Sequence, residues 1–280
     1  MQIWFITGAS RGFGALVAKL ALDKGDAVVA TARNPQSVIA ALGEHPNLLA
    51  VALDVTSEAQ AHEAAKAAIQ RFGKIDILLN NAGFGLLGAV EEATAAEVEA
   101  LYRTNVFGLL NVTRAVLPHM RRARSGHILN VSSIGGYQSG AGFGVYCSTK
   151  FAVEGLTEAL AAELAPLGIK ATVVEPGYFR TDFLDARSLS VSDSRIADYA
   201  ETAGAVRERA AQISHRQPGD PAKLAAALIE LGGNPNAPLR MPFGSDTVAA
   251  IEAKNAFVAQ ELAAWRDVAI STDFDDAHAA

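Results

Sequence analysis

Tyr146 and Lys150 lie four residues apart in the stretch Gly144-Val-Tyr146-Cys-Ser-Thr-Lys150-Phe-Ala-Val-Glu-Gly155. If this stretch opens a helix, both side chains leave the same face. A phenol keeps its proton until about pH 10, so alone it transfers protons poorly at neutral pH. An ammonium one turn away favours the phenolate by Coulomb attraction and is expected to pull its pKa toward working pH. The pair would then give or take a proton while a hydride moves beside it. Tyr-x-x-x-Lys also occurs on ordinary solvated helix faces, so its neighbours must decide its meaning.

Residues 1–7 form a short apolar, β-rich run ending in Gly8-Ala-Ser10-Arg11-Gly12-Phe13-Gly14, and helical periodicity starts directly afterwards. Strand, glycine turn and helix in that order make a phosphate cradle. Gly8 is expected to permit the tight turn, Gly12 to let backbone amides approach a pyrophosphate, and Gly14 to pack helix on strand. Here the spacing is Gly-x-x-x-Gly-x-Gly, not the commoner Gly-x-Gly-x-x-Gly.

Together with Asn80-Asn81-Ala82-Gly83, these motifs resemble the short-chain dehydrogenase/reductase family in order and spacing. Asp54, Asn105, Ser133, Pro176-Gly177 and Thr181 extend the likeness, close over residues 1–182 and loose beyond. By that resemblance Ser133, thirteen positions before the tyrosine, is the catalytic serine that binds the substrate oxygen. Ser132 would turn into the strand packing. Lys150 would also hold the nicotinamide ribose, and Asn105 would order a water leading toward Lys150. The resemblance puts Ser10, Arg11 and Phe13 with the glycine loop on the cofactor, and Asp54 and Val55 at its adenine edge. Asn81, Ala82 and Gly83 would line the adenosine ribose, and Pro176, Gly177 and Thr181 the carboxamide. Local readings stand beside these: Asp54 and Thr181 as caps, the asparagine pair as turn chemistry, Asn105 as part of a helix distortion.

The second strand reads Ala27-Val-Val-Ala-Thr31-Ala-Arg33-Asn34 and offers no carboxylate for a ribose 2′-hydroxyl. Arg33 could instead bind a 2′-phosphate bidentately, with Arg11 closing from the other side. The expected cofactor is therefore NADP(H).

Strand and helix patterns alternate throughout the 280 residues, which predicts one α/β domain: a Rossmann-type doubly wound parallel sheet of about seven strands with helices on both faces. Predicted strands cover residues 2–7, 27–31, 48–54, 75–80, 126–132, 170–175 and 239–241, and helices cover 57–72, 95–121 and 144–164. Ser57 and Gln60 read as a capping box. The motifs after Ile6, Leu53, Leu79, Val131 and Val174 all fall at the C-terminal ends of predicted strands, the edge where such sheets bind ligands.

Past Thr181 the resemblance implies a substrate lid at 182–217, followed by a C-terminal extension from about 243 with Trp265 and an acidic tail. Phe84, Leu86, Leu87, Phe143, Tyr178 and Phe179 could line an apolar pocket or belong to the core. The tail end of the chain is loosely similar to the 17β-hydroxysteroid and retinol dehydrogenase-like members.

The net charge of −6 and the lack of basic runs beyond 121–124 argue against nucleic acid. No apolar stretch reaches bilayer length, and residues 1–7 lack a basic leader. The single cysteine, Cys147, forms no internal disulfide, fits a reducing cytosol, and reads as a packed small residue. Six histidines show no ligand spacing, so no metal is expected, and each histidine is placed on a surface or loop. The expected activity is NADP(H)-dependent interconversion of a carbonyl and an alcohol on a hydrophobic small molecule. A non-catalytic NADP sensor, or a related lyase or epimerase, is the alternative. A homo-oligomer formed through residues 144–164 completes the expectation.

Overall fold

The computed structural model describes residues 1–274. In chain order the elements are β1 (Ile3–Thr7), α1 (Gly12–Asp23), β2 (Ala27–Ala32), α2 (Gln36–Leu42), β3 (Leu48–Ala52), α3 (Glu58–Phe72) and β4 (Ile77–Asn80). Then come β5 (Gly85–Leu87), α4 (Ala95–Tyr102), α5 (Leu109–Ala123), β6 (Gly126–Val131), α6 (Gly144–Leu164) and β7 (Ile169–Pro176). The chain continues with β8 (Leu189–Val191), α7 (Ala205–Ile213), α8 (Pro221–Gly233), β9 (Arg240–Phe243) and α9 (Ser245–Ile270).

Seven strands form one parallel sheet in the order β3-β2-β1-β4-β6-β7-β9. The central strand β1, Ile-Trp-Phe-Ile-Thr, is buried along its whole length. Parallel strands covered on both faces need such continuous apolar runs. Alternation along β1 sends Trp4 and Ile6 into the core under α1 and α8, and Phe5 into the core under α3 and α5. The strand order reverses between β1 and β4, which opens a crevice at the carboxyl ends.

Several expectations need correction. Residues 95–121 do not form one helix: a π-helical turn, Arg103–Gly108, separates α4 from α5. The capping box at Ser57 is half made, because Ser57 accepts from the Gln60 amide while the Gln60 side chain accepts from the Asp54 amide. His127 is buried in β6, its ring nitrogens 3.2 and 2.9 Å from Gly232 O and Thr172 Oγ1, and burial holds it down to about 4. A second parallel sheet, β5 with β8, escaped prediction altogether.

No helix among the described residues is long and apolar enough to cross a membrane. Helix α9 carries exposed Phe257, Leu262 and Trp265. The acidic tail and His278 expected from sequence lie in part or wholly beyond residue 274, outside the described residues.

Candidate active site

The glycine turn after β1 is held by side chains from two strands. Thr7 Oγ1 accepts from the amides of Asn81 and Ala82 at 2.9 and 3.0 Å. Asn81 Nδ2 donates to the carbonyls of Thr7 and Gly8 at 3.0 and 3.1 Å. Gly8 and Gly12 adopt φ of 65° and 55°, which a side chain would strain. A Cβ on Gly14 would lie 2.5 Å from Gly8 O and 2.7 Å from Asn81 Nδ2. Gly14 thus lets the turn fold back on itself and on Asn81, a tighter demand than the helix-on-strand packing expected of it.

Helix α1 begins without a side-chain cap and without an acidic residue in its first turn. By contrast α3, α4 and α8 are capped by Ser57, Thr94 and Asp220. Its uncapped amides and the positive end of its dipole therefore face the crevice, a fit for a pyrophosphate.

The crevice has a volume of about 1270 Å³. Gly8, Ser10, Arg11, Gly12, Phe13, Arg33, Asp54, Val55, Asn81, Ala82 and Gly83 line one end of it. Ser133, Tyr146, Lys150, Pro176, Gly177 and Thr181 line the rest. Of the residues given a cofactor or catalytic role from sequence, Gly14 and Asn105 stay behind the wall. Arg33 is exposed and makes no hydrogen bond or ion pair among the described residues. Arg11 departs from expectation: its guanidinium donates to Arg187 O at 2.7 Å, tying the glycine turn to the segment before β8. Asp54 accepts from the Thr56 amide and hydroxyl at 3.0 and 2.8 Å, as a local cap does, and still borders the crevice.

Tyr146 and Lys150 share the buried face of α6, 7 % exposed each. Lys150 Nζ donates to Val131 O at 2.9 Å and stands 5.8 Å from the Tyr146 ring centre. The electrostatics run against the sequence expectation. Burial pushes the Tyr146 phenol well above its ordinary value, with only the Ser133 hydroxyl drawing it back. Burial also brings Lys150 down to about 8, opposed by the charge of Glu154. Spacing put the cation nearby, but removal of water from both groups is the largest cause of both shifts. Cys147 lies beside Gly135, and burial pushes its thiol up, away from a reactive thiolate.

Asn105 falls inside the π-helical turn and is 2 % exposed. Its Oδ1 accepts from the Phe84 amide, and its Nδ2 donates to Phe84 O and Thr149 Oγ1. The side chain is therefore committed to clamping the strand-end loop 83–84 to α6 and has no donor left for a water. Ser132 is buried beside Ser133 at the crevice wall, and its hydroxyl lies on the Gly136 and Glu154 side.

Phe84, Phe143, Tyr178 and Phe179 border the crevice, with Phe183, Leu184 and Leu189 from the segment beyond Thr181. Leu86 and Leu87 do not; they are 2 % exposed and packed in the core. Phe13 meets Phe179 edge-on at 5.6 Å. The segment over the crevice is anchored by Glu92, buried and ion-paired to Arg207 of α7, which also accepts from the Ala89 and Ile196 amides. These partners hold the Glu92 carboxyl down to about 2.

Sequence reasoning missed Arg209, Arg216 and Asp246, all of which border the crevice. Asp246 accepts from the Tyr178 amide at 2.7 Å and leaves no room for a Cβ on Gly177, so the start of α9 fixes the Pro176-Gly177 turn. Asp182, Asp185 and His215 bring the two ends of segment 182–217 together, His215 Nε2 lying 3.1 Å from Asp185 Oδ1.

Comparison with known proteins agrees with this geometry. A family model described as short chain dehydrogenase matches residues 2–191. The chain is 36 % identical over 274 residues to oxidoreductase BOA17 of Botryotinia fuckeliana, covering 97 % of this chain and 99 % of that one. It is 40 % identical over 244 residues to the 3-ketodihydrosphingosine reductase of Bacteroides thetaiotaomicron, covering 87 % and 88 %. A short-chain dehydrogenase from Streptomyces avermitilis superposes with a TM-score of 0.89 at 41 % identity, covering 98 % and 99 %. ElxO with NADP bound superposes at 0.74, with 26 % identity and coverage of 89 % and 99 %. The 3-ketoacyl-(acyl-carrier-protein) reductase of Brucella melitensis, complexed with NADH, does so at 0.72, with 30 % identity and coverage of 87 % and 97 %. With a family model matching more than half its length and relatives this similar over nearly all of it, the chain belongs to the short-chain dehydrogenase family.

Proposed function

We propose that the protein is an NADP(H)-dependent oxidoreductase that interconverts a ketone or aldehyde with an alcohol on a hydrophobic small molecule, Tyr146 acting as general acid and base. The observation that carries this reading is the convergence of Ser133, Tyr146 and Lys150 on one crevice with an uncapped helix N-terminus. When bound, a reduced nicotinamide supplies the hydride. The chain's own residues handle binding and the proton. The α1 amides and Gly12 take the pyrophosphate, Lys150 a ribose hydroxyl, and Pro176, Gly177 and Thr181 the carboxamide end.

Ser133 holds the substrate oxygen against the phenol, and Tyr146 gives its proton to the developing alkoxide. A phenol held protonated by burial is the form that carbonyl reduction consumes. Oxidation of an alcohol would use the same group as phenolate. The aromatic rim suits an apolar substrate frame, and the Bacteroides relative is named for a ketone. Residues 182–217 act as the substrate lid on this reading. Phe107 and Phe151, 54 % and 44 % exposed on the π-helical turn and α6, supply the apolar face for a second copy.

Arg33, unpartnered at the end of β2, is the residue that selects NADP(H). Arg33→Asp replaces a phosphate-binding guanidinium with a repelling carboxylate. The ratio of kcat/KM for NADPH over NADH should fall by about tenfold or more, about 1.4 kcal/mol per decade. An unchanged ratio would remove Arg33 from the site. The activity itself is tested by following NADPH absorbance against a panel of aliphatic, aromatic and long-chain ketones and aldehydes. Turnover with any of them supports the enzyme. Tight NADPH binding without turnover favours the sensor alternative, and product formed with no net NADPH consumption favours a lyase or epimerase.

A further inference from the structure

A second cluster of charge lies behind the wall that carries Tyr146 and Lys150. Glu154 follows Lys150 by one turn of α6, and Glu175 sits near the end of β7, against which α6 packs. Glu175 is fully buried and Glu154 is 5 % exposed. Neither oxygen of Glu175, nor Glu154 Oε1, receives a hydrogen bond from any donor among the described residues. The remaining oxygen, Glu154 Oε2, accepts from Arg240 Nη1 at 3.1 Å, and Arg240 reaches onward to Glu158 at the surface. The Ser132 hydroxyl lies close by without a hydrogen bond of its own.

Two carboxylates in such a place do not both ionise at neutral pH, because lost hydration and mutual repulsion both favour protonating one. A proton between them supplies the donor that their oxygens lack. Of the two buried carboxyls Arg240 bonds only to Glu154, so the charge belongs on Glu154 and the proton on Glu175. Burial and the neighbouring carboxylate push Glu175 up to about 7. Burial also pushes Glu154 up, but the nearby Ser132 hydroxyl and Arg240 draw it back. The other charged or titratable groups around the pair are Lys150 and Glu158 on α6, Arg240 on β9, and Tyr137, whose ring lies 5.9 Å from the Arg240 guanidinium.

We propose that Glu175 keeps a proton and donates it to Glu154, and that the single charge left on Glu154 holds Lys150 as an ammonium from behind the crevice. Glu154 and Glu175 are thus positioning residues that act through Lys150. The proposal rests on the role given to Lys150 above. It explains how a lysine with almost no contact with water stays charged: its counter-charge lies one helical turn along its own face and is itself kept single by Glu175.

The test compares wild type with Glu154→Gln, Glu154→Asp and Glu175→Gln. The first readout needs neither cofactor nor substrate: the pH midpoint at which acetic anhydride modifies Lys150, read by mass spectrometry, since only the neutral amine reacts. Glu154→Gln should lower that midpoint by about one unit, and Glu154→Asp should restore most of it. The basic limb of the kcat/KM profile for carbonyl reduction should move with it, a loss of about tenfold at the alkaline end and little on the acid plateau.

The second readout is thermal unfolding. A carboxyl whose pKa is raised by folding is stabilising to keep protonated, so wild-type stability is lost as pH rises through about 7. Glu175→Gln has no such proton to lose and should gain Tm over wild type between about pH 5 and about pH 8. An unmoved Lys150 midpoint in Glu154→Gln, or a Tm difference for Glu175→Gln that does not vary with pH, overturns the proposal. If no carbonyl is reduced by wild type, the proposed function falls, while the labelling and unfolding results still decide the charge pair.

Discussion

Tyr146→Phe should lower kcat for carbonyl reduction by roughly 10²–10⁴-fold while leaving NADPH affinity within about twofold. The substitution removes one oxygen from a ring that is 7 % exposed and packed edge-on against Phe143 at 6.1 Å and tilted against Phe183 at 5.7 Å. The ring keeps those contacts, so folding and the shape of the crevice survive. What disappears is the proton donor beside Ser133. The glycine turn and Arg33 lie at the other end of the crevice and are untouched. An equal fall in kcat and kcat/KM with KM nearly constant would mark an interaction made only in the transition state. Retained turnover would mean that another group supplies the proton.

Gly14→Ala should have the second largest effect, through binding rather than chemistry. The added Cβ would lie 2.5 Å from the Gly8 carbonyl oxygen and 2.7 Å from Asn81 Nδ2. The first neighbour is backbone in a turn already at positive φ, and the second is a side chain fixed by bonds to Thr7 and Gly8. Neither can give way cheaply. Overpacking of this kind costs about 1–3 kcal/mol. The turn must open, moving the α1 amides off the place where they meet phosphate. Titration by quenching of Trp fluorescence or by calorimetry should find NADPH affinity lower by at least about tenfold, with a fall in Tm of several degrees. Gly12→Ala gives an internal comparison, because a Cβ there meets nothing within 4 Å and only its φ of 55° is strained. It should lose less than Gly14→Ala, and the reverse order would contradict this account of the turn.

Much of this architecture was legible because the relevant signals are local. Central parallel strands are continuous apolar runs, so β1, β2 and β4 announce themselves, and the motifs at their ends fall together once the sheet is parallel. The bounds of α6 match expectation residue for residue, since Tyr146, Lys150 and the apolar positions after them repeat at one period. Three kinds of feature were legible only in part or not at all. The π-helical turn at Arg103–Gly108 bears out the helix distortion read at Asn105, but its extent answers to tertiary demands: Asn105 must reach Phe84, and a Cβ on Gly108 would lie 2.6 Å from Val55 Cγ2. The pairing of β5 with β8 joins segments about a hundred residues apart, each three residues long and without alternation of its own. The third is desolvation. Spacing alone sets Lys150 beside Tyr146 and so suggests an acidic phenol, but the sign of the shift depends on how much water the fold removes from both. Glu154 and Glu175 are unremarkable in sequence for the same reason, being ordinary residues of a helix and a strand until packing faces them together. His127 was misplaced although a cue existed: it sits in the apolar run Gly126–Val131, where a surface position is the exception.

The most direct test of the central claim is isotopic. Wild-type protein is given NADPH carrying deuterium at the transferable position, with a ketone from the panel, and the alcohol is examined by mass spectrometry and NMR. One deuterium should appear on the carbinol carbon for each NADPH consumed, and almost none in the same time with Tyr146→Phe. Firm NADPH binding by wild type with no deuterium reaching any carbonyl carbon would contradict that claim.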